Sequence, residues 1–334
     1  METPRKILVI KPSSLGDIIH SLPFLGALRE CFPRAEIHWV VARAFYGLLE
    51  GHPMLDRLRV FDKDKWKRLS GITGTAGEIR AFIRNLRSEK FDMAIDLQGL
   101  FRSGLIAWAS GAKVRIGFKE AREGAGLFYN HKVSADRDMH AVQRYLKPAA
   151  FLGCNVSEVR FPMPPLPPAP AGLPNEYAVI APSAGKEANR WPARRFGELA
   201  ARLPLKSVIV ASSSDSRIAE EVAAASSGKA LSLAGKTDLK GLASVIKGAK
   251  FLVSGDTGPA HIAVALGIPV FTIFGPANPK RTGPYGDMHT VIRLDLPCSP
   301  CYRKKKCRDW KCMEDLTVGM VFDSIRQRRH LWQG

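Results

Sequence analysis

The chain has 334 residues, 46% of them hydrophobic, which is enough to bury a full core and, at the usual domain size, to form about two domains. No apolar run approaches the roughly 18 to 20 residues that cross a bilayer, and the N-terminus lacks a signal peptide's basic-then-apolar order. A cytoplasmic location with six reduced cysteines is therefore expected, unless those thiols hold a metal. The formal charge of +19 implies an anionic partner, whether a nucleotide or the phosphate face of a membrane. Nucleic acid is not expected as that partner, because the basic residues are scattered and no Arg/Lys stripe alternates with aromatics.

In chain order, residues 6–10 form an apolar strand, 11–16 a turn, and Asp17 opens a predicted helix with Ile18, Leu22, Leu25 and Leu28 on one face. Further strands are predicted at 36–41, 91–97 and 114–118, with helical stretches between them. Residues 161–174 are so rich in proline that neither helix nor central strand can persist. Beyond them the alternation restarts, with strands at 177–181, 206–211, 251–254 and 270–274 and helices at 192–203, 215–225, 239–248 and 259–266. Strands that alternate with helices predict an α/β fold built on doubly wound parallel sheets. The chain thus divides into a first domain (1–160), a linker (161–174), a second domain (175–316) and a final helix (317–334) that could cross back onto the first domain.

Two loops carry candidate chemistry. The turn Lys11-Pro-Ser-Ser-Leu-Gly-Asp17 joins a strand to a helix, where backbone N–H groups and hydroxyls face a ligand. The plainer reading makes Ser13 or Ser14 a helix cap and Asp17 a complement to the helix dipole. The second loop, Ser254-Gly-Asp-Thr-Gly-Pro-Ala-His261, also follows an apolar strand, and its glycines and exposed N–H groups suit a diphosphate. An ordinary turn capped by Asp256 is the alternative there; Phe274-Gly-Pro-Ala-Asn-Pro-Lys280, another loop of ligand-binding type after the next strand, weighs against it. Neither loop has the glycine spacing of a dinucleotide fold or the Gly-Lys-Ser/Thr ending of a phosphate loop, which disfavours dehydrogenases and ATPases.

Lys-Pro-Ser-Ser-Leu-Gly-Asp-Ile-Ile-His-Ser-Leu-Pro (11–23), Asp-Leu-Gln-Gly-Leu-Phe-Arg-Ser (96–103), Ala-Arg-Glu-Gly-Ala-Gly-Leu-Phe-Tyr (121–129), Arg190-Trp-Pro192 and Gly255-Asp-Thr-Gly-Pro-Ala-His261 together resemble glycosyltransferase family 9, the ADP-heptose:lipopolysaccharide heptosyltransferases. The first half is similar to the heptosyltransferase I branch in particular. The resemblance implies a GT-B fold, two Rossmann-like domains facing across a cleft, and an inverting, metal-independent transfer of heptose from ADP-heptose to the Kdo-lipid A inner core. It places the general base at Asp17. Donor binding falls to Ser183, Lys186, Asp215, Asp256, Thr257, Gly258 and His261, and acceptor binding to Ser14, Gly16, Lys63 and Arg122. Asn189 stands where the family usually has a lysine, with Lys186 and Arg190 the nearest substitutes. The implied location is the cytoplasmic face of the inner membrane, by peripheral contact. Another nucleotide sugar, or a protein acceptor, is the alternative reading.

Cys298, Cys301, Cys307 and Cys312 bring four thiols into one lysine- and arginine-rich segment. A structural zinc or iron is one reading, although the second C-x2-C knuckle of a zinc module is missing. Free thiols or a disulfide are the others. No cofactor is expected for catalysis itself, and the oligomeric state is left open.

Overall fold

A computed structural model describes residues 3–61, 72–302, 307 and 309–332. The chain divides into two compact units, Met1–Pro165 and Leu166–Gly334, and the division falls inside the proline-rich segment.

Unit 1 contains β1 (Lys6–Ile10), β2 (Glu36–Ala42), β3 (Arg57–Phe61), β4 (Met93–Asp96), β5 (Val114–Phe118) and β6 (His131–Val133) in the order β3-β2-β1-β4-β5-β6, every pairing parallel. The central strand β1 is a continuous apolar run whose Ile7, Leu8, Val9 and Ile10 are fully buried, as a parallel strand covered on both faces requires. Its longer helices are α1 (Leu15–His20), α2 (Leu22–Cys31), α3 (Ile72–Ser88), α4 (Phe101–Ala109) and α5 (Ala141–Phe151). The single helix expected from Asp17 is in fact two. Ser21 ends α1, and Pro23, which has no N–H to donate, sits in the first turn of α2, where none is needed. Ile18, Leu22, Leu25 and Leu28 are nevertheless all buried.

Unit 2 repeats the plan with β7 (Tyr177–Ala181), β8 (Lys206–Ile209), β9 (Ala230–Ser232), β10 (Phe251–Gly255), β11 (Val270–Ile273) and β12 (Thr290–Ile292), ordered β12-β11-β10-β7-β8-β9 and again all parallel. Its longer helices are α6 (Ala193–Arg202), α7 (Ser216–Ala224), α8 (Leu239–Lys247), α9 (Gly258–Ala265) and α10 (Val318–Gln327). The final helix packs within unit 2. Val318, Val321, Ile325 and Trp332 join Phe196, Phe251 and Phe271 in the core of unit 2, so its apolar face is already covered there. The segment before it is pinned to the same unit by Trp191 Nε1, which donates to the Leu316 carbonyl at 2.8 Å.

At the amino end of the first sheet lies an ion network. Lys6 Nζ contacts Glu36 at 3.0 Å and Glu89 at 2.9 Å, and Arg59 donates to Glu89. Buried His38 donates from Nε2 to Glu36 at 2.6 Å and accepts from Arg59 Nε on Nδ1 at 3.3 Å, which defines a neutral tautomer. Among the described residues Glu36, His38 and Glu89 are the one group of three metal-type ligands within 4.8 Å of one another. Lys6, Arg57 and Arg59 already occupy the carboxylates, so the cluster is an ion-pair network and not a cation site.

Candidate active site

Read from its own first strand, each sheet has the order 3-2-1-4-5-6, so the winding reverses between β1 and β4 and again between β7 and β10. Loops leaving the carboxyl ends of two such strands diverge and open a crevice, the usual ligand position in doubly wound sheets. Both candidate loops leave such strands.

In unit 1 the loop after β1 carries Asp17. Ser14 caps α1, donating its N–H and hydroxyl to Asp17 Oδ2 at 3.1 and 2.8 Å, so the capping reading of this loop is correct as far as one carboxylate oxygen goes. The other oxygen faces elsewhere. Oδ1 accepts from the Tyr145 hydroxyl at 2.8 Å and lies 3.9 Å from Lys11 Nζ. About a third of the Asp17 side chain is exposed (34%) while that of Lys11 is buried (2%). Burial alone would raise the Asp17 carboxyl, but the Lys11 charge together with the Ser14 and Tyr145 hydrogen bonds holds it below the usual carboxylate range. The site therefore keeps an ionised, partly open carboxylate.

Lys11, Asp96 and Tyr129 lie in motifs quoted from the sequence but were assigned no site role there, and Tyr145 was not singled out. The register that pairs Ile10 with Asp96 sets that carboxyl beside the Lys11 turn. Asp96 is fully buried; it accepts from Tyr129 OH at 2.5 Å and from the N–H groups of Gln98 and Gly99 at 2.8 and 3.1 Å, yet burial still raises its pKa. Burial likewise pushes Lys11 down, opposed by Asp17 and Asp96. Tyr129 reaches Asp96 because residue 117 is glycine: a Cβ there would sit 2.2 Å from the ring. The available signal was the position of Asp96 at the end of an apolar strand, opening a Leu-Gln-Gly turn.

Among the acceptor residues, Gly16 and exposed Ser14 belong to the Asp17 turn. Arg122 is exposed, its N–H bonded to the Gly99 carbonyl at 2.9 Å, and with Arg144 it adds positive potential at Lys11. Lys63 lies outside the described residues, as do its basic neighbours Lys65, Lys67 and Arg68.

In unit 2 the loops after β7 and β10 meet. Thr257 holds the N-cap position of α9 without a side-chain cap bond, Gly258 is the first residue of the helix, and His261 is buried one turn on. The amino end of this helix points its N–H groups and dipole toward any anion in the crevice. Asn189, buried on the β7 loop, donates from Nδ2 to Asp256 Oδ2 at 3.3 Å. Gly255 makes the approach feasible, since a Cβ there would lie 2.9 Å from the Asn189 carbonyl. Asn189 therefore orients Asp256 and cannot supply the charge of a lysine. Asn189 Oδ1 and Ser183 Oγ are buried without a hydrogen-bond partner in this loop, a cost of about 1–3 kcal/mol each that a polar ligand removes. Lys186 is exposed on the same loop; Arg190 is also exposed, its Nε tied to the Ala184 carbonyl at 2.9 Å. Asp215 follows β8, accepting from Ser212 Oγ at 2.8 Å, where a doubly wound nucleotide site places its ribose-binding acid. Beside these loops a cavity of about 320 Å³ is lined by Pro182, Glu187, Arg190, Trp191, Ile218 and Met313.

The thiols gather near the β11 loop. Cys312 packs over Gly275, and its thiol is raised by burial and by Cys307, Cys301 and Cys298. The segment is fixed by Ser299, whose hydroxyl donates to the Gly275 carbonyl at 2.7 Å. The four cysteines are free thiols, which removes the disulfide reading, and among the described residues no three of them lie within 4.8 Å of one another as a ligand group.

A sequence model of glycosyltransferase family 9 (heptosyltransferase) matches residues 79–311. The chain is 31% identical to lipopolysaccharide heptosyltransferase 1 of Pseudomonas aeruginosa, over 97% of this chain and 92% of that protein. To the Escherichia coli lipopolysaccharide heptosyltransferase 1 it is 31% identical, over 86% and 93%. Among solved structures, E. coli heptosyltransferase WaaC with ADP superposes with a TM-score of 0.81 at 27% identity, covering 97% of this chain and 99% of that one. Two Rossmann-like units with one strand order, a capped and partly open carboxylate after β1, an anion-ready helix after β10 and these relatives agree: the chain belongs to glycosyltransferase family 9, the heptosyltransferases.

Proposed function

We propose that the protein transfers heptose from ADP-heptose to the Kdo-lipid A inner core of lipopolysaccharide, by a single displacement that inverts the anomeric centre, with Asp17 as general base. The observation that carries this reading is the state of Asp17, ionised and a third exposed while Lys11, Ser14 and Tyr145 hold its two oxygens in place. Asp17 takes the proton of the acceptor hydroxyl as that oxygen bonds to the anomeric carbon. The carbon–oxygen bond to ADP breaks, and the diphosphate leaves with the electron pair. Arg122 and Lys63 supply the cations that an anionic Kdo sugar calls for.

Donor binding belongs to unit 2. The α9 amino end with Thr257, Gly258 and His261 takes the diphosphate, and Lys186 supplies the charge that Asn189 lacks. Asp215 and Asp256 accept from sugar hydroxyls, and Ser183 satisfies its buried hydroxyl on the nucleotide. A solved relative, E. coli heptosyltransferase WaaC, holds ADP-2-deoxy-2-fluoro heptose, which supports an ADP-linked donor. No cofactor enters the displacement. Cys298, Cys301, Cys307 and Cys312, as placed, do not make a ligand set for a structural zinc or iron ion; metal analysis of purified protein tests this, and a stoichiometric bound metal would overturn it.

Among the described residues no helix is long and apolar enough to cross a membrane, and contact with the cytoplasmic face of the inner membrane is proposed to be peripheral. The primary test is Asp17→Ala, assayed with ADP-heptose and Kdo-lipid A. Transfer should vanish while calorimetric ADP affinity stays within about twofold. Retained transfer refutes the base, and tighter binding of UDP or GDP than of ADP refutes the donor.

A further inference from the structure

The outer face of α4 carries Phe101, Leu105 and Trp108, spaced four and three residues apart and so aligned on one side of the helix. Phe101 is 46% and Trp108 51% exposed. On the 3-10 turn Ala125–Phe128 that packs beside α4, Leu127 is 86% exposed, the highest value among the exposed large hydrophobic residues of the described chain. The turn and helix form one surface. The Phe101 and Phe128 rings meet edge to face at 5.4 Å, and Gly104 makes room for Phe128, since a Cβ there would come within 2.7 Å of its ring.

Cations surround this apolar ridge. Arg102 is exposed next to Phe101, the Arg87 guanidinium lies 5.8 Å from the Trp108 ring centre, and exposed Lys132 runs its stem past Gly126, with Cε 4.0 Å from the position of a Cβ there. Among the described residues Arg87, Arg102 and Lys132 form no ion pair. The nearby acid is Glu123, whose carboxylate accepts the Phe101 N–H at 3.3 Å. A water-exposed leucine and two aromatics within a basic rim match an anionic lipid interface, where apolar groups enter the headgroup boundary and the cations meet phosphates. A soluble polyanion without an apolar surface would satisfy the cations but leave Leu127 in water.

We infer that α4 and the 125–128 turn are the surface through which unit 1 docks on an anionic membrane, with Phe101, Trp108 and Leu127 inserting and Arg87, Arg102 and Lys132 on the headgroups. The inference rests on the proposed lipid-linked acceptor, since docking here holds the unit that carries Asp17 at the lipid surface.

The test uses the full chain with vesicles of phosphatidylglycerol and phosphatidylcholine, against phosphatidylcholine alone. The unaltered protein should co-sediment with the anionic vesicles and progressively less as salt rises. Leu127→Asp should weaken that binding tenfold or more, and Arg102→Ala about fivefold, each with an unchanged melting temperature. Transfer to a soluble Kdo acceptor without acyl chains should be the same for Leu127→Asp and the unaltered enzyme. Equal binding by the variants, or equal binding to neutral vesicles, overturns the proposal. So does a dimer that Leu127→Asp splits, which would assign the ridge to a second copy of the chain. If the unaltered protein transfers no heptose to either acceptor, the catalytic reading fails while the vesicle result still decides the docking surface.

Discussion

The Tyr145 hydroxyl donates to Oδ1 of Asp17 at 2.8 Å, joining residues 128 positions apart in the chain. The bond stabilises the ionised carboxylate, so its removal makes Asp17 easier to protonate. In Tyr145→Phe the acid limb of the pH–rate profile should move to higher pH, with a loss of less than about a hundredfold at neutral pH, against about a thousandfold or more for Asp17→Asn. A profile that stays in place would show that Tyr145 does not act on the base.

Lys11→Met should shift the same limb further. The buried ammonium faces Asp17 at 3.9 Å, and it also acts on Asp96, whose carboxyl burial already raises. Without it both carboxyls rise, and at neutral pH turnover should fall about tenfold or more. Comparing the two profiles measures the charge against the hydrogen bond.

On the donor side, Lys186→Ala should weaken ADP binding about tenfold by calorimetry, as loss of one charge-assisted hydrogen bond does. Arg190→Ala is expected to cost less, because its Nε is already bonded to the Ala184 carbonyl. The reverse ranking would move the diphosphate contact to Arg190.

Gly117→Ala places a methyl group 2.2 Å from the Tyr129 ring. The clash should cost about 1–3 kcal/mol in urea unfolding and displace the hydroxyl that donates to Asp96. An unchanged urea midpoint would show that the ring moves aside without penalty.

Acid should destabilise unit 1 through His38 and Glu36. His38 is held below its ordinary 6.5 mainly by burial, so its contribution is complete above that value and is lost as the pH falls. The Glu36 carboxyl is lowered from an ordinary 4.5 to about 2, chiefly by the His38 hydrogen bond, so its contribution is present above 4.5 and disappears toward pH 2. Urea midpoints should decline steadily from pH 7 to pH 3. His38→Gln, which keeps a donor toward Glu36, should flatten the upper part of that decline.

Much of the architecture was legible in the sequence. The central strands of both sheets are buried on two faces and read as unbroken apolar runs, such as Ile7–Ile10 and Phe251–Val253. The strands that escaped notice, β3, β6, β9 and β12, are the four sheet edges. β6, β9 and β12 have three residues each, β3 alternates arginine with apolar residues, and all four are mostly partly buried or exposed, so none carries a continuous apolar run. For the final helix, the amphipathic period reports that one face is covered, but not by which residues; these are Phe196, Phe251 and Phe271 among others.

The candidate loops were also readable, because a Gly- and Ser-rich turn between an apolar strand and a helix is a local pattern. What surrounds Asp17 was not. Lys11, Asp96, Tyr129 and Tyr145 come together only through strand register and helix packing. A lysine or tyrosine has the same local signature whether it ends on the surface or beside a carboxylate. Chain order alone determined that each unit alternates strand with helix and which loops follow its apolar strands. Tertiary packing decided which charges those loops would face, since burial and electrostatic partners depend on residues far apart in the chain.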